Sequence, residues 1–134
     1  MSQYGNQLNM SATAEETFAA KQYYIVQVGT SNGYVKVAAA AAAEGTHPIG
    51  VIQNDPAALG AADVAIAGTT KVVCAANVDR GEKVMSNGSG KATPCDADQK
   101  GSVGIALESN TAGDEGIIEI LLTPGGFSQA DESN

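Results

Sequence analysis

Ile49-Gly50-Val51-Ile52 is echoed 54 residues later by Val103-Gly104-Ile105-Ala106, and the surroundings of each copy match as well. At the same offset Val64-Ala65-Ile66 falls on Ile118-Glu119-Ile120, while Ser31-Asn32-Gly33 and Ser86-Asn87-Gly88 lie 55 residues apart. Each half therefore reads as an Asn-Gly hairpin, a loop, a Gly-centred apolar strand, a turn and a further strand. Asn-Gly is a strong hairpin signal because both central residues of the tight turn need φ > 0. The spacing exceeds the roughly 20–50 residues of solenoid repeats, and there are only two copies. The expectation is a duplicated β motif, with pseudo-repeats at about 23–74 and 81–122, folded into one compact unit.

Periodicity supports strands throughout. Tyr24–Val28, Tyr34–Val37, Val64–Ile66, Lys71–Cys74 and Ile117–Leu122 are short, rich in β-branched residues and bounded by Gly, Asn, Asp or Pro. At most one or two short helices are expected. Thr13 and Glu16 have the spacing of a capping box, which would open a helix ending before Tyr23. The run Ala38–Ala43 reads either as a short helix or as an extended connection. Alanine favours helix, but a segment this short with alanine on every face has no apolar stripe to dock it.

With 134 residues, 43% of them apolar and 16% charged, the chain is long enough to bury a real core without a metal or disulfide. No window approaches a membrane span of roughly 18 apolar residues. The first ten residues, MSQYGNQLNM, contain neither a basic nor an apolar signal region, so export is not expected. Residues 1–100 hold nine acids and seven bases, whereas residues 101–134 hold six acids and no base. Without a cluster of Lys and Arg there is nothing to displace phosphate counterions, so neither nucleic acid nor an anionic membrane is an expected partner. The acidic end reads as a solvated face. No aromatic residue occurs between Val35 and Gly126, so the core there must be built from Val, Ile, Leu and Ala.

Signatures of chemistry fail on particular residues. Gly88-Ser89-Gly90-Lys91 resembles a phosphate loop, but Met85 stands where its first Gly belongs and Ala92 where the magnesium-binding hydroxyl belongs. The Asp96–Gly101 stretch starts like a calcium loop, yet Lys100 and Leu107 occupy ligand positions. His47 is the sole histidine and precedes Pro48, which places it in an extended loop. Cys74 and Cys95 lack zinc spacing; two thiols are the first reading and a disulfide the second. No catalytic, cofactor or metal site is expected, and the chain is not expected to be an enzyme.

The ends differ from the body. Residues 1–14 carry no charge and space Tyr4, Leu8 and Met10 along a polar segment. They read either as a frayed end or as an extended N-terminal arm that orders on a partner. Residues 15–124 form the single β domain, and 125–134 a C-terminal tail.

The string His47–Cys74, HPIGVIQNDPAALGAADVAIAGTTKVVC, together with GSVGIALESNTAGDEGIIEILL from Gly101 to Leu122, resembles the capsid decoration (cement) proteins of tailed bacteriophages. Pro48–Ala58 is the most specific part. The resemblance implies a barrel- or tulip-like β domain on the outer surface of an expanded head, after assembly in the host cytoplasm. It implies the major capsid protein as partner and a homo-trimer at three-fold or quasi-three-fold positions. On that reading Tyr4, Leu8, Met10 and Phe18 are the expected anchors to capsid or sister subunit. The alternative is a surface recognition module, carbohydrate-binding or fibre-associated. It needs an exposed aromatic platform, against which the aromatic-free stretch argues.

Overall fold

The computed structural model describes residues 7–39, 47–95 and 102–123. Among them are nine strands and no helix: β1 (Gln7–Ala14), β2 (Ile25–Val28), β3 (Tyr34–Val37), β4 (Pro48–Ile52), β5 (Ala61–Val73), β6 (Lys83–Ser86), β7 (Ala92–Pro94), β8 (Ser102–Ala106) and β9 (Ile117–Leu122). Their order is β1-β3-β2-β4-β5-β9-β8-β6-β7, and β1 also pairs with β5. That extra pairing closes β1, β3, β2, β4 and β5 into a five-stranded barrel. Mainly β and barrel-like, the fold is as the sequence implied.

The two halves are built alike at the level of single hydrogen bonds. Val26 lies opposite Gly50, and the register slips just after it; Val84 lies opposite Gly104, with the slip in the same place. Ala14 N–H donates to Gly60 O (2.9 Å) and Leu59 N–H to Ala14 O (2.8 Å). In the second half Cys74 N–H donates to Gly116 O (2.7 Å) and Glu115 N–H to Cys74 O (2.8 Å). The end of β5 thus does for the second half what β1 does for the first. A parallel bridge from Cys74 to Ala92 brings it to β7, as Ala14 meets Val35 of β3.

Two strands expected separately, Val64–Ile66 and Lys71–Cys74, are one strand of 13 residues. Gly68, at φ 87°, is the place where β5 passes from one ring to the other. There Gln7 of β1 lies on one edge and Leu122 of β9 on the other. Both Asn-Gly pairs do separate paired strands, but the left-handed turn residues are Gly33 (φ 82°) and Gly90 (φ 79°), not Gly88. Asn87 Oδ1 accepts the Ser89 and Lys91 N–H groups, which shifts the tight position two residues along.

The helix expected from Thr13 is absent. Thr13 belongs to β1, and the Glu16 carboxylate accepts the Val37 N–H (2.8 Å) instead of capping its own segment. Pairing with the barrel outweighs a local cap worth about 1 kcal/mol. Likewise Gln7–Ala14 is not a separate arm but a barrel strand, because its alternate residues Met10, Ala12 and Ala14 add apolar surface to the barrel interior. Residues 1–6, the 125–134 tail and most of the Ala38–Glu44 stretch lie outside the described residues.

Two apolar clusters fill the body. One, inside the first barrel, includes Phe18, Tyr24, Val26, Ile52 and Val64. The other joins the halves and has no aromatic among its buried members; Ile25, Val51, Val72, Val84, Ile118 and Ile120 carry it. Strands β2 and β4 therefore face a cluster on each side, which explains why PIGVI is buried at four of its five positions.

The glycine at the centre of each echo follows from this packing. A Cβ on Gly50 would overlap the Ala65 carbonyl oxygen, and one on Gly104 the Leu121 carbonyl oxygen. Gly50→Ala and Gly104→Ala are each expected to lower unfolding stability by roughly 1–3 kcal/mol in urea titrations. Gly88→Ala, where a Cβ meets open space, is expected to stay within about 0.5 kcal/mol of the parent.

Candidate interaction surfaces

The expected anchors scatter. Phe18 is 0% exposed and serves the domain's own core, because its N–H is tied to Pro56 O (2.8 Å) and its ring is enclosed by the first cluster. Met10, opposite Val64, is half-buried against the same cluster. Leu8 is 61% exposed. Tyr4 lies outside the described residues.

Leu8 lies opposite Ala67, while Leu121 lies opposite Thr69 and Ile117 opposite Val73. Leu121 and Ile117, four residues apart on β9, share a face, whereas Gly68 and the neighbouring register shift interrupt the alternation of β5 between Ala67 and Thr69. Leu121 is 40% and Ile117 52% exposed. Between them on β9 Glu119 is buried, opposite Lys71 in register, and the Lys71 ammonium sits 5.9 Å from the centre of the Tyr23 ring. The sequence hint was there in the alternation of Ile117-Ile118-Glu119-Ile120-Leu121-Leu122. Two-sided burial hid which apolar side faces out.

The matching turns of the two halves differ in chemistry. Beyond Ala14 the turn Pro56–Gly60 presents Ala57, Ala58 and Leu59, all exposed, with Leu59 at 69% and φ 68°. Next to it Ala19 and Ala20 are exposed too, with Ala20 at φ 60°. The matching turn of the second half has Glu115 in the place of Leu59, at φ 75°. There Lys91 Nζ bonds Asp114 (3.0 Å) and Glu115. Those bonds, to Glu115 first and then Asp114, raise the Lys91 pKa. Its ammonium also lies 6.0 Å from the centre of the Tyr24 ring. Elsewhere the Thr30 N–H and hydroxyl on Glu15 lower that carboxyl's pKa.

An open cleft of about 610 Å³ runs between Tyr24, Lys21 and Lys36 on one side and Gly88, Ser89 and Lys91 on the other. Of its four charged residues, Glu16 accepts the Val37 N–H and Lys91 is bound to two acids. Among the described residues no group of three or more His, Cys, Asp or Glu has metal-binding geometry. His47 is exposed just before β4. Cys74 is buried and Cys95 half-buried, with no disulfide between them.

No protein-family model matches this chain, and no curated protein matches it. Among solved structures, it is similar to the head fiber gp8.5 N base in bacteriophage phi29, with a TM-score of 0.63 and 18% sequence identity. The match covers 88% of this chain and 95% of that one. At that identity the likeness is one of fold.

Burial pushes the Cys74 thiol up to about 11. A raised acid pKa means the folded state holds its proton more tightly, so this contribution to stability is present below about pH 8.5 and fades as pH rises toward 11. Cys74 is therefore expected to resist iodoacetamide at pH 8 in the folded protein and to alkylate once urea unfolds it. Peptide mass mapping reads both states.

Proposed function

We propose that this chain is a structural protein of a phage virion, a decoration protein that binds the outside of the expanded head and bridges adjacent capsomers. The fold shared with a head fiber base, along nearly the whole of both chains, is the observation that carries the reading. The sequence resemblance of Pro48–Ala58 and Val103–Glu108 to cement proteins supports it independently. On this reading the protein catalyses nothing and its partner is the major capsid protein.

Its mechanism is selective binding. A protein that needs two surfaces at once stabilises only the shell state that presents both, by mass action. Leu8 on β1 and the Leu121–Ile117 pair on β9, all exposed apolar side chains, supply one such grip. Three copies around a three-fold position would link such contacts and raise avidity about 10²–10⁴-fold without new chemistry.

Purified protein added to expanded heads lacking it is expected to bind saturably in co-sedimentation and to raise the heat resistance of the shells. A folded preparation that leaves such heads bare defeats the reading. Leu8→Asp combined with Leu121→Asp, both surface changes, is expected to keep the circular dichroism spectrum and lower occupancy at least about tenfold, as loss of an interface hot spot does.

A further inference from the structure

The duplication supplies an internal comparison, since two turns with one backbone design carry different side chains. Leu59 and Glu115 both donate their N–H to the strand that closes their half, and both sit at positive φ, which costs a non-glycine residue free energy. Glu115 has an ion pair in that position. Leu59 is 69% exposed, so its side chain gains little within the domain.

What surrounds the two also differs. From Pro56 to Ala62, and from Thr17 to Ala20, no residue is charged. The matching second-half segments, 112–118 and 77–80, hold Asp79, Arg80, Asp114 and Glu115. On a chain of formal charge −8, Ala57–Leu59 and Ala19–Ala20 are an uncharged, exposed apolar stretch, bordered by Asp55 and Lys21. It is also rigid: Gly60 N–H donates to Ala57 O (2.9 Å), Phe18 N–H to Pro56 O (2.8 Å), and Asn54 Nδ2 to Ala61 O (3.0 Å). A pre-shaped apolar projection loses little entropy when it docks.

We propose that Leu59, flanked by Ala57 and Ala58, is a second grip that inserts into an uncharged, apolar concavity on the shell protein. This rests on the reading of the chain as a head decoration protein. Two features select that occupant. Leu59 is 69% exposed in a turn, so it suits a pocket in a macromolecule rather than a small ligand. It is also far smaller than the roughly 1,000 Å² that a free-standing specific dimer buries, so it fits a secondary contact on a surface already gripped elsewhere. Leu8 and Ala14 are six residues apart along β1, about 20 Å at strand rise, and Leu59 hangs from Ala14. A stiff strand thus sets the distance between the two grips, as a bridge across a seam requires.

Leu59→Gly tests this, because glycine relieves the positive φ while deleting the side chain. Its Tm is expected to equal or exceed the parent's by a few degrees, while its apparent affinity for undecorated heads falls about 10–100-fold. Glu115→Gly is expected to leave head affinity unchanged. Parental head affinity in Leu59→Gly overturns the inference and leaves the decoration reading standing; a parent that ignores heads removes both. A lowered Tm in Leu59→Gly shows that the side chain serves the fold and overturns the inference. So does concentration-dependent self-association, measured by sedimentation, that is lost in Leu59→Gly without any change in head binding.

Discussion

Strand β5 is a wall common to both halves, and the architecture depends on its continuity. Its first part takes β1 on one edge and β4 on the other; its last part takes β9 and then, through Cys74, reaches β7. Thirteen residues can serve two rings only if the chain changes direction without losing its ladder. Gly68 supplies that change in the left-handed region, where a side chain would be strained. Because one strand is shared, the second cluster lies between the halves, and Ile25, Val51 and Ala65 of the first half pack into it. The halves cannot part without exposing that cluster to water.

Duplication with divergence explains where exposed apolar surface arises. Hydrogen bonds repeat from half to half, so the backbone is held to one plan, while exposed side chains at matching places have separated. Acidic and basic residues gather on the second-half turns, and Lys91 ties Asp114 and Glu115 into a solvated cluster. The first-half turn at Ala57–Leu59 carries exposed apolar groups instead. A chain with fifteen acids and seven bases repels its own kind over most of its surface, so approach is easiest where charge is thinnest.

A gripping role suits a body of this build. Close approach at Gly50 and Gly104 leaves thin layers packed from Val, Ile and Ala. Such layers resist deformation, since packed interiors have low compressibility. Stiffness of this kind fits the proposed bridging of two surfaces at a set separation.

The repeat, the strand class and the short β2, β3 and β9 segments were legible in the chain because they depend on local chemistry: β-branched runs, turn glycines and a 54-residue echo. The reading of Thr13–Glu16 as a helix start was sound locally and lost to tertiary pairing, as Val37 took the Glu16 carboxylate. Phe18 looked like an anchor because an isolated aromatic near a polar end resembles one; only the barrel shows that it is enclosed. In the same way Leu59 sat unnoticed in PAALG, since exposure at the tip of a turn depends on which neighbours fold over it. Composition and period thus establish what kind of element each segment becomes, being properties of adjacent residues. Closure by β1, the sharing of β5 and the side on which each apolar residue emerges depend on contacts between residues far apart in the chain, which no local pattern encodes.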